Sequence, residues 1–75
     1  MKTIYQQRYI DLIELMILAR KNVGKTQANL AEQLGKHQSY IAKIEGCERK
    51  VDVVEFVEIC KIIGASPSDL IKALE

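Results

Sequence analysis

The apolar residues of this chain recur at helical rather than strand spacing almost throughout. From Gln6 to Asn22, the residues Tyr9, Leu12, Ile13, Met16 and Ala19 form one stripe, and Gly24 supplies a stop, so a first helix is predicted there. Ile10, Ile17 and Leu18 lie partly off that stripe; they pack under another helix of the chain or meet a second copy. Residues 1 to 5 offer no cap and are expected to fray. Thr26 is a good N-cap for a second helix over Gln27 to Leu34, whose apolar face is Leu30, Ala31 and Leu34. Gly35 follows directly, where a chain leaving a helix commonly turns left-handed, so a sharp turn is expected. A third helix from His37 to Glu45 places Ile41 and Ile44 on one face and Gln38, Ser39, Ala42 and Lys43 on the other.

A polar connection, Gly46 to Val51, leads to Asp52, which with Glu55 three residues later has the pattern of a capping box. The fourth helix that opens there carries Val53, Val54, Phe56, Val57, Ile59, Cys60, Ile62 and Ile63. It is apolar nearly all round, which predicts a place at the centre of the core. Gly64 ends it. Ser66 and Pro67 then fit the N-cap and first position of a fifth helix, with Leu70, Ile71 and Leu74 as its apolar face. The expected fold is all-α: a compact five-helix domain spanning residues 1–75, with no strand, repeat or linker. The stretch Gln27 to Gly46, two short helices about a tight turn, is its organising unit.

Seventy-five residues bury only about 60% of their unfolded surface, so good helix packing is needed for stability. There is no long apolar run and no signal-peptide pattern, and a soluble, cytoplasmic protein without membrane association is the default reading. The net charge of +1 excludes little, but its distribution is uneven. Residues 20 to 50 carry Arg20, Lys21, Lys25, Lys36, Lys43, Arg49 and Lys50 against Glu32, Glu45 and Glu48, a balance of +4. Residues 51 to 75 carry Lys61 and Lys72 against Asp52, Glu55, Glu58, Asp69 and Glu75, a balance of −3. The basic side coincides with the two-helix unit, which suits a polyanionic partner. Glu45 is misplaced on local grounds, since an acid at a helix C-terminus meets the negative end of the macrodipole; Arg20 is its candidate ion-pair partner. Cys47 and Cys60 have no CxxC spacing and the chain has a single histidine, so no metal or other cofactor is predicted. Cys60 reads as a core residue and Cys47 as a loop thiol.

The segment TQANLAEQLGKHQSYIAKIE resembles the helix-turn-helix of the phage repressor and Cro family, the xenobiotic-response-element (XRE) type. The resemblance extends over about residues 12 to 74. It implies the five-helix fold of lambda-repressor-like domains and a sequence-specific, double-stranded DNA-binding transcriptional regulator, most simply a homodimer reading a pseudo-palindromic operator. The third helix would enter the major groove, with Gln38, Ser39, Ala42 and Lys43 at base edges and Gln38 suited to a bidentate contact with adenine. Gln27, His37, Tyr40, Arg49 and Lys50 would contact phosphates, although Tyr40, four residues before Ile44, also suits a half-buried packing role. Arg20 and Glu45 would tie the first helix to the end of the third.

Some positions depart from the family pattern. Lys36 replaces an apolar turn residue and Lys25 a leucine before Thr26. His37 stands where Ser or Thr usually caps, so a weaker cap is expected. Gly46-Cys47 replaces Arg-Gly or Asn-Gly, so the exit from the third helix should be shaped differently.

Two other readings remain. One is a protein-interaction module, coactivator-like or an antitoxin component, that keeps the fold. The other is an enzyme, for which no nucleophile grouping, phosphate loop or small-molecule pocket is evident in the sequence.

Overall fold

The computed structural model describes residues 4–75, with side chains from residue 6 onward. Among the described residues there are five helices and no strand: α1 (Ile4–Asn22), α2 (Gln27–Leu34), α3 (Gln38–Glu45), α4 (Val53–Ile63) and α5 (Pro67–Lys72). Helix α1 begins two residues before the expected Gln6, so the backbone of Ile4 and Tyr5 is helical; the expected fraying of residues 1–3 lies outside the described residues.

Most boundaries follow from caps. Thr26 Oγ1 accepts from the Asn29 N–H at 3.0 Å while the Asn29 side chain accepts from the Thr26 N–H at 3.1 Å, a reciprocal box that stops α2 fraying. Asp52 and Glu55 form the same arrangement at the start of α4, at 2.7 and 3.0 Å. Ser66 caps α5, with Pro67 at its first position. Between α2 and α3 the chain reverses at Gly35, whose φ of +71° is left-handed. The Gly35 and Lys36 N–H groups donate to Glu32 and Ala31 carbonyls at 3.0 and 2.9 Å, closing the last turn of α2. A side chain at Gly35 would meet no neighbour, so the backbone conformation rather than space demands glycine there.

Four helices supply the core. Ile13 and Met16 come from α1, Leu30 and Ala31 from α2, Ile41 and Ile44 from α3, and Phe56, Ile59, Cys60 and Ile63 from α4. Leu70 of α5 closes it from the side. Of the off-stripe residues of α1, Ile17 packs on this core and Ile10 is partly covered, while Leu18 remains 56% exposed.

Helix α4 departs from expectation. It is central, but Val53 and Val54 are 77% and 66% exposed and only Phe56, Ile59, Cys60 and Ile63 are fully buried. That spacing is one stripe of an amphipathic helix. In α5, Ile71 is half exposed, so the inward face is carried by Leu70.

Candidate nucleic-acid interface

Ile41 and Ile44, 1% and 0% exposed, anchor α3 against the core and thereby fix which side of it faces outward. Gln38, Ser39 and Lys43 are exposed on that outward side, and Ala42 is half-buried beside them. None of the side chains of Gln38, Ser39 and Lys43 is engaged by another described residue. An α-helix with its side chains is about 10–12 Å across, a width that a groove about 12 Å wide admits.

The C-terminal end of α3 is tied to the rest of the molecule by charge. Arg20 Nε and Nη2 donate to the two oxygens of Glu45 at 2.7 and 2.9 Å, and Gln27 Nε2 donates to Glu45 Oε1 at 2.9 Å. Arg20 Nη1 also donates to the Lys25 carbonyl at 2.7 Å, so one guanidinium joins α1, the loop before α2 and the end of α3. The two side chains are only 7% and 5% exposed. Glu45, unfavourably placed against the α3 macrodipole, is thus surrounded by three donors.

Gln27, read from the sequence as a phosphate contact, spends one of its two side-chain N–H donors on Glu45. Gln27 stands at the first position of α2, where a helix leaves its backbone N–H groups without intrahelical partners. His37 is exposed and precedes α3 without a side-chain capping bond; Lys25, in the loop before α2, is held by Gln33 across a 3.0 Å bond.

The exit of α3 differs from the usual glycine turn in register. Gly46 has an ordinary φ of −86°, whereas Cys47 adopts a left-handed φ of +59°. Cys47 and Glu48 N–H groups donate to the Ile44 and Lys43 carbonyls at 3.1 and 2.9 Å, so Cys47 occupies the position at which such a turn prefers glycine. The glycine stands one residue early.

Two tyrosines then shape the loop between α3 and α4. Tyr9 on α1 accepts the Val51 N–H at 3.0 Å, and Lys50 Nζ lies 5.7 Å from its ring centre. Tyr40 on α3 donates its hydroxyl to Glu55 on α4, and its ring has Arg49 at 4.9 Å and Lys36 at 5.2 Å from the centre. Tyr40, read from the sequence as a phosphate contact or a half-buried packing residue, has its single O–H committed to a carboxylate here, and its ring is a platform for two cations. Burial first, then the hydrogen bond to Glu55 and that residue's charge, push the Tyr40 phenol up to about 12. The same hydrogen bond, followed by the Asp52 N–H, lowers the Glu55 carboxyl below its usual range. Both shifts keep the proton on Tyr40 and the charge on Glu55 at neutral pH.

Arg49 and Lys50 are exposed and lie beyond the C-terminal end of α3. Lys36 adds a third cation beside Arg49 and Lys50, and Glu55 and Tyr9 contact Arg49 and Lys50 respectively; none of Lys36, Tyr9 and Glu55 was among the sequence candidates for the site. Only Lys36 carried a signal, as a charge in an otherwise apolar turn position. Among the described residues no cluster of three metal-ligating side chains occurs. The cavity between α1 and α5, of about 430 Å³, is lined by Arg8, Asp11, Glu14, Leu15, Leu18 and Leu74, a mixture without a nucleophile and on different elements from α3. No described helix is long and apolar enough to cross a membrane.

Comparison with known proteins agrees with this geometry. The helix-turn-helix family matches residues 16–70, a span that includes α2, the turn, α3 and the loop that follows. Among solved structures, the XRE-family like protein from Pseudomonas syringae pv. tomato str. DC3000 is similar, with a TM-score of 0.90 and 42% sequence identity over 95% of this chain and 87% of that one. Comparison with curated proteins gave no match. With its five helices, Gly35 turn and buried Ile41 and Ile44, the chain belongs to the helix-turn-helix family of XRE type, a family of DNA-binding regulators.

Proposed function

We propose that this chain is a single-domain, intracellular, sequence-specific regulator that reads double-stranded DNA through the major groove with α3. The observation that carries the proposal is the division of α3: Ile41 and Ile44 are buried, while Gln38, Ser39 and Lys43 are exposed and unengaged. Gln38 is assigned to a base edge, where a bidentate pair with adenine discriminates by about 1–3 kcal/mol. Ser39 and Lys43 read neighbouring positions, and Ala42 packs toward a thymine methyl group. Gln27, His37, Arg49, Lys50 and the newly placed Lys36 hold phosphates on either side, a sequence-independent contribution that weakens with salt.

A homodimer suits this reading. Half-sites one turn apart are separated by about 34–36 Å, and the longest dimension of the molecule is 33 Å. Two copies on one face of a duplex therefore come into reach of each other. The half-exposed Leu18, which lines the α1–α5 cavity, and the half-exposed Ile71 supply apolar surface for such a contact.

The test is selection of duplexes from a random pool by the purified chain, followed by titration of the enriched sequence at two salt concentrations. Gln38→Ala is expected to relax the preference at one position of each half-site and leave affinity for unrelated duplex unchanged. Arg49→Ala should weaken all duplexes alike. A weak response that is flat across sequences and salt would favour the protein-interaction module over the regulator.

A further inference from the structure

Arg49 is already held in the free chain much as a bound anion would hold it. Its guanidinium lies over the Tyr40 ring at 4.9 Å, and Nη2 faces Glu55 Oε2 at 3.4 Å, while the side chain stays 50% exposed. Glu55 has other partners. Its Oε1 accepts the Asp52 N–H at 3.0 Å, and its Oε2 accepts the Tyr40 hydroxyl. A carboxylate and a phosphodiester offer a guanidinium similar features, two acceptor oxygens sharing one negative charge.

We infer that Glu55 stands in for a DNA phosphate: on docking, the Arg49 guanidinium leaves Glu55 for a backbone phosphate while Tyr40 keeps its hold on it. This rests on the DNA-binding reading above. The exchange is small in free energy for two reasons visible in the structure. The Arg49–Glu55 pair is long and half exposed, a class of ion pair worth at most about a fivefold preference. Glu55 also retains the Tyr40 hydroxyl and the Asp52 N–H after Arg49 leaves, so no carboxylate oxygen is abandoned. Arg49 must nevertheless give up its contact with Glu55 before it can hold a phosphate. Glu55 therefore restrains sequence-independent binding and leaves the base-reading side chains of α3 to decide where the protein stays.

The experiment measures duplex affinity of the full chain at about 50 and about 200 mM salt, on a selected and on an unrelated sequence. Glu55→Gln preserves the capping box, because glutamine serves at that position. It should bind both duplexes about two- to fivefold more tightly at low salt, with a salt slope steeper by up to about 0.9. In an Arg49→Ala background that gain should vanish. A Glu55→Gln chain with unchanged melting that binds no better overturns the inference. So does a gain that persists without Arg49, which would reflect general charge repulsion. Should Glu55→Gln fail to fold, the unsubstituted chain answers: the Glu55 carboxylate and Arg49 guanidinium NMR signals both shift on adding duplex if the exchange occurs, and an unmoved Glu55 signal refutes it. Wild-type chain that binds no duplex brings down the DNA-binding reading itself; wild-type binding without the Glu55→Gln gain brings down the exchange alone.

Discussion

Arg20 offers the sharpest test of how α3 is held. Its guanidinium makes two of the three hydrogen bonds to Glu45, at 2.7 and 2.9 Å, and both side chains are almost fully covered. Replacing it with methionine keeps much of the packing volume and leaves Glu45 with Gln27 alone, beside the negative end of the α3 macrodipole. Breaking a buried pair on one side destabilises by about 3–5 kcal/mol, because the remaining charge is uncompensated. A 75-residue chain has a total stability of about 4–11 kcal/mol. Arg20→Met should therefore lose a large share of it and lower Tm by about 12–40 °C. The double variant Arg20→Met/Glu45→Gln removes the stranded charge and should recover more than half of the loss. Thermal and urea melts followed by circular dichroism at neutral pH, completed with Glu45→Gln alone, give the coupling between the two residues. A loss below about 1 kcal/mol for Arg20→Met would place the pair among exposed salt bridges. Equal stability of Arg20→Met and the double variant would refute the argument from uncompensated charge.

Other consequences are smaller. Cys47→Gly should stabilise by about 1 kcal/mol, since a side chain in the left-handed region costs roughly that much, raising Tm by about 4–8 °C; an unchanged or lowered Tm would mean that Cys47 makes a compensating contact. Tyr40 should be seen in the absorbance change at 295 nm as a phenol titrating near 12, a step missing from Tyr40→Phe. Because its folded value is raised, the stability tied to that proton is whole below about 10, the ordinary phenol value, and is lost as the pH climbs towards about 12. Glu55 acts in the opposite sense. Its folded value is lowered, so its contribution is complete above the usual carboxylate range and disappears as the pH falls through the lowered value. Acid unfolding should accordingly be less steep in Glu55→Gln than in the unsubstituted chain.

The parts of the fold that were legible in the sequence rest on interactions only a few residues long. Thr26, Asp52 and Ser66 cap because a side-chain oxygen three residues before a free N–H is a local arrangement, and Gly35 turns because of its own backbone. Arg20 and Glu45 could be paired at a distance of twenty-five residues because Glu45 had an electrostatic defect that needed a cation. Periodicity was less reliable along the helix axis. The valines at the start of α4 look like core residues on composition, but burial depends on what lies opposite each turn, and full burial begins only at Phe56. The loop after α3 was the least legible. Tyr40 and Glu55 each have an adequate local role, half-buried ring and capping residue, so nothing in the sequence announced that they bond to each other and share Arg49. Tyr9 likewise reads as one member of a stripe, and its bond to Val51 crosses forty-two residues.

These restraints are unevenly distributed along α3, and the unevenness bears on how it could read DNA. At its C-terminal end the helix is fixed by Glu45 through Arg20 and Gln27, and by the turn at Cys47; in its middle Tyr40 is bound to α4, and Ile41 and Ile44 are sunk in the core. Its N-terminal end has only backbone support, because His37 provides no side-chain cap. A helix of eight residues without tertiary support is unstable in water, so the tethers hold the α-helix together as well as positioning it. The end that carries Gln38 and Ser39 is then the end with most freedom to adjust. On the proposed reading of DNA by α3, a rigid rear would set the angle at which the helix meets the groove, and a less restrained front would let Gln38 and Ser39 settle into hydrogen-bonding geometry. Strengthening the front with a better cap would reduce the ordering needed on binding, but it would also fix Gln38 before the base is present to align it.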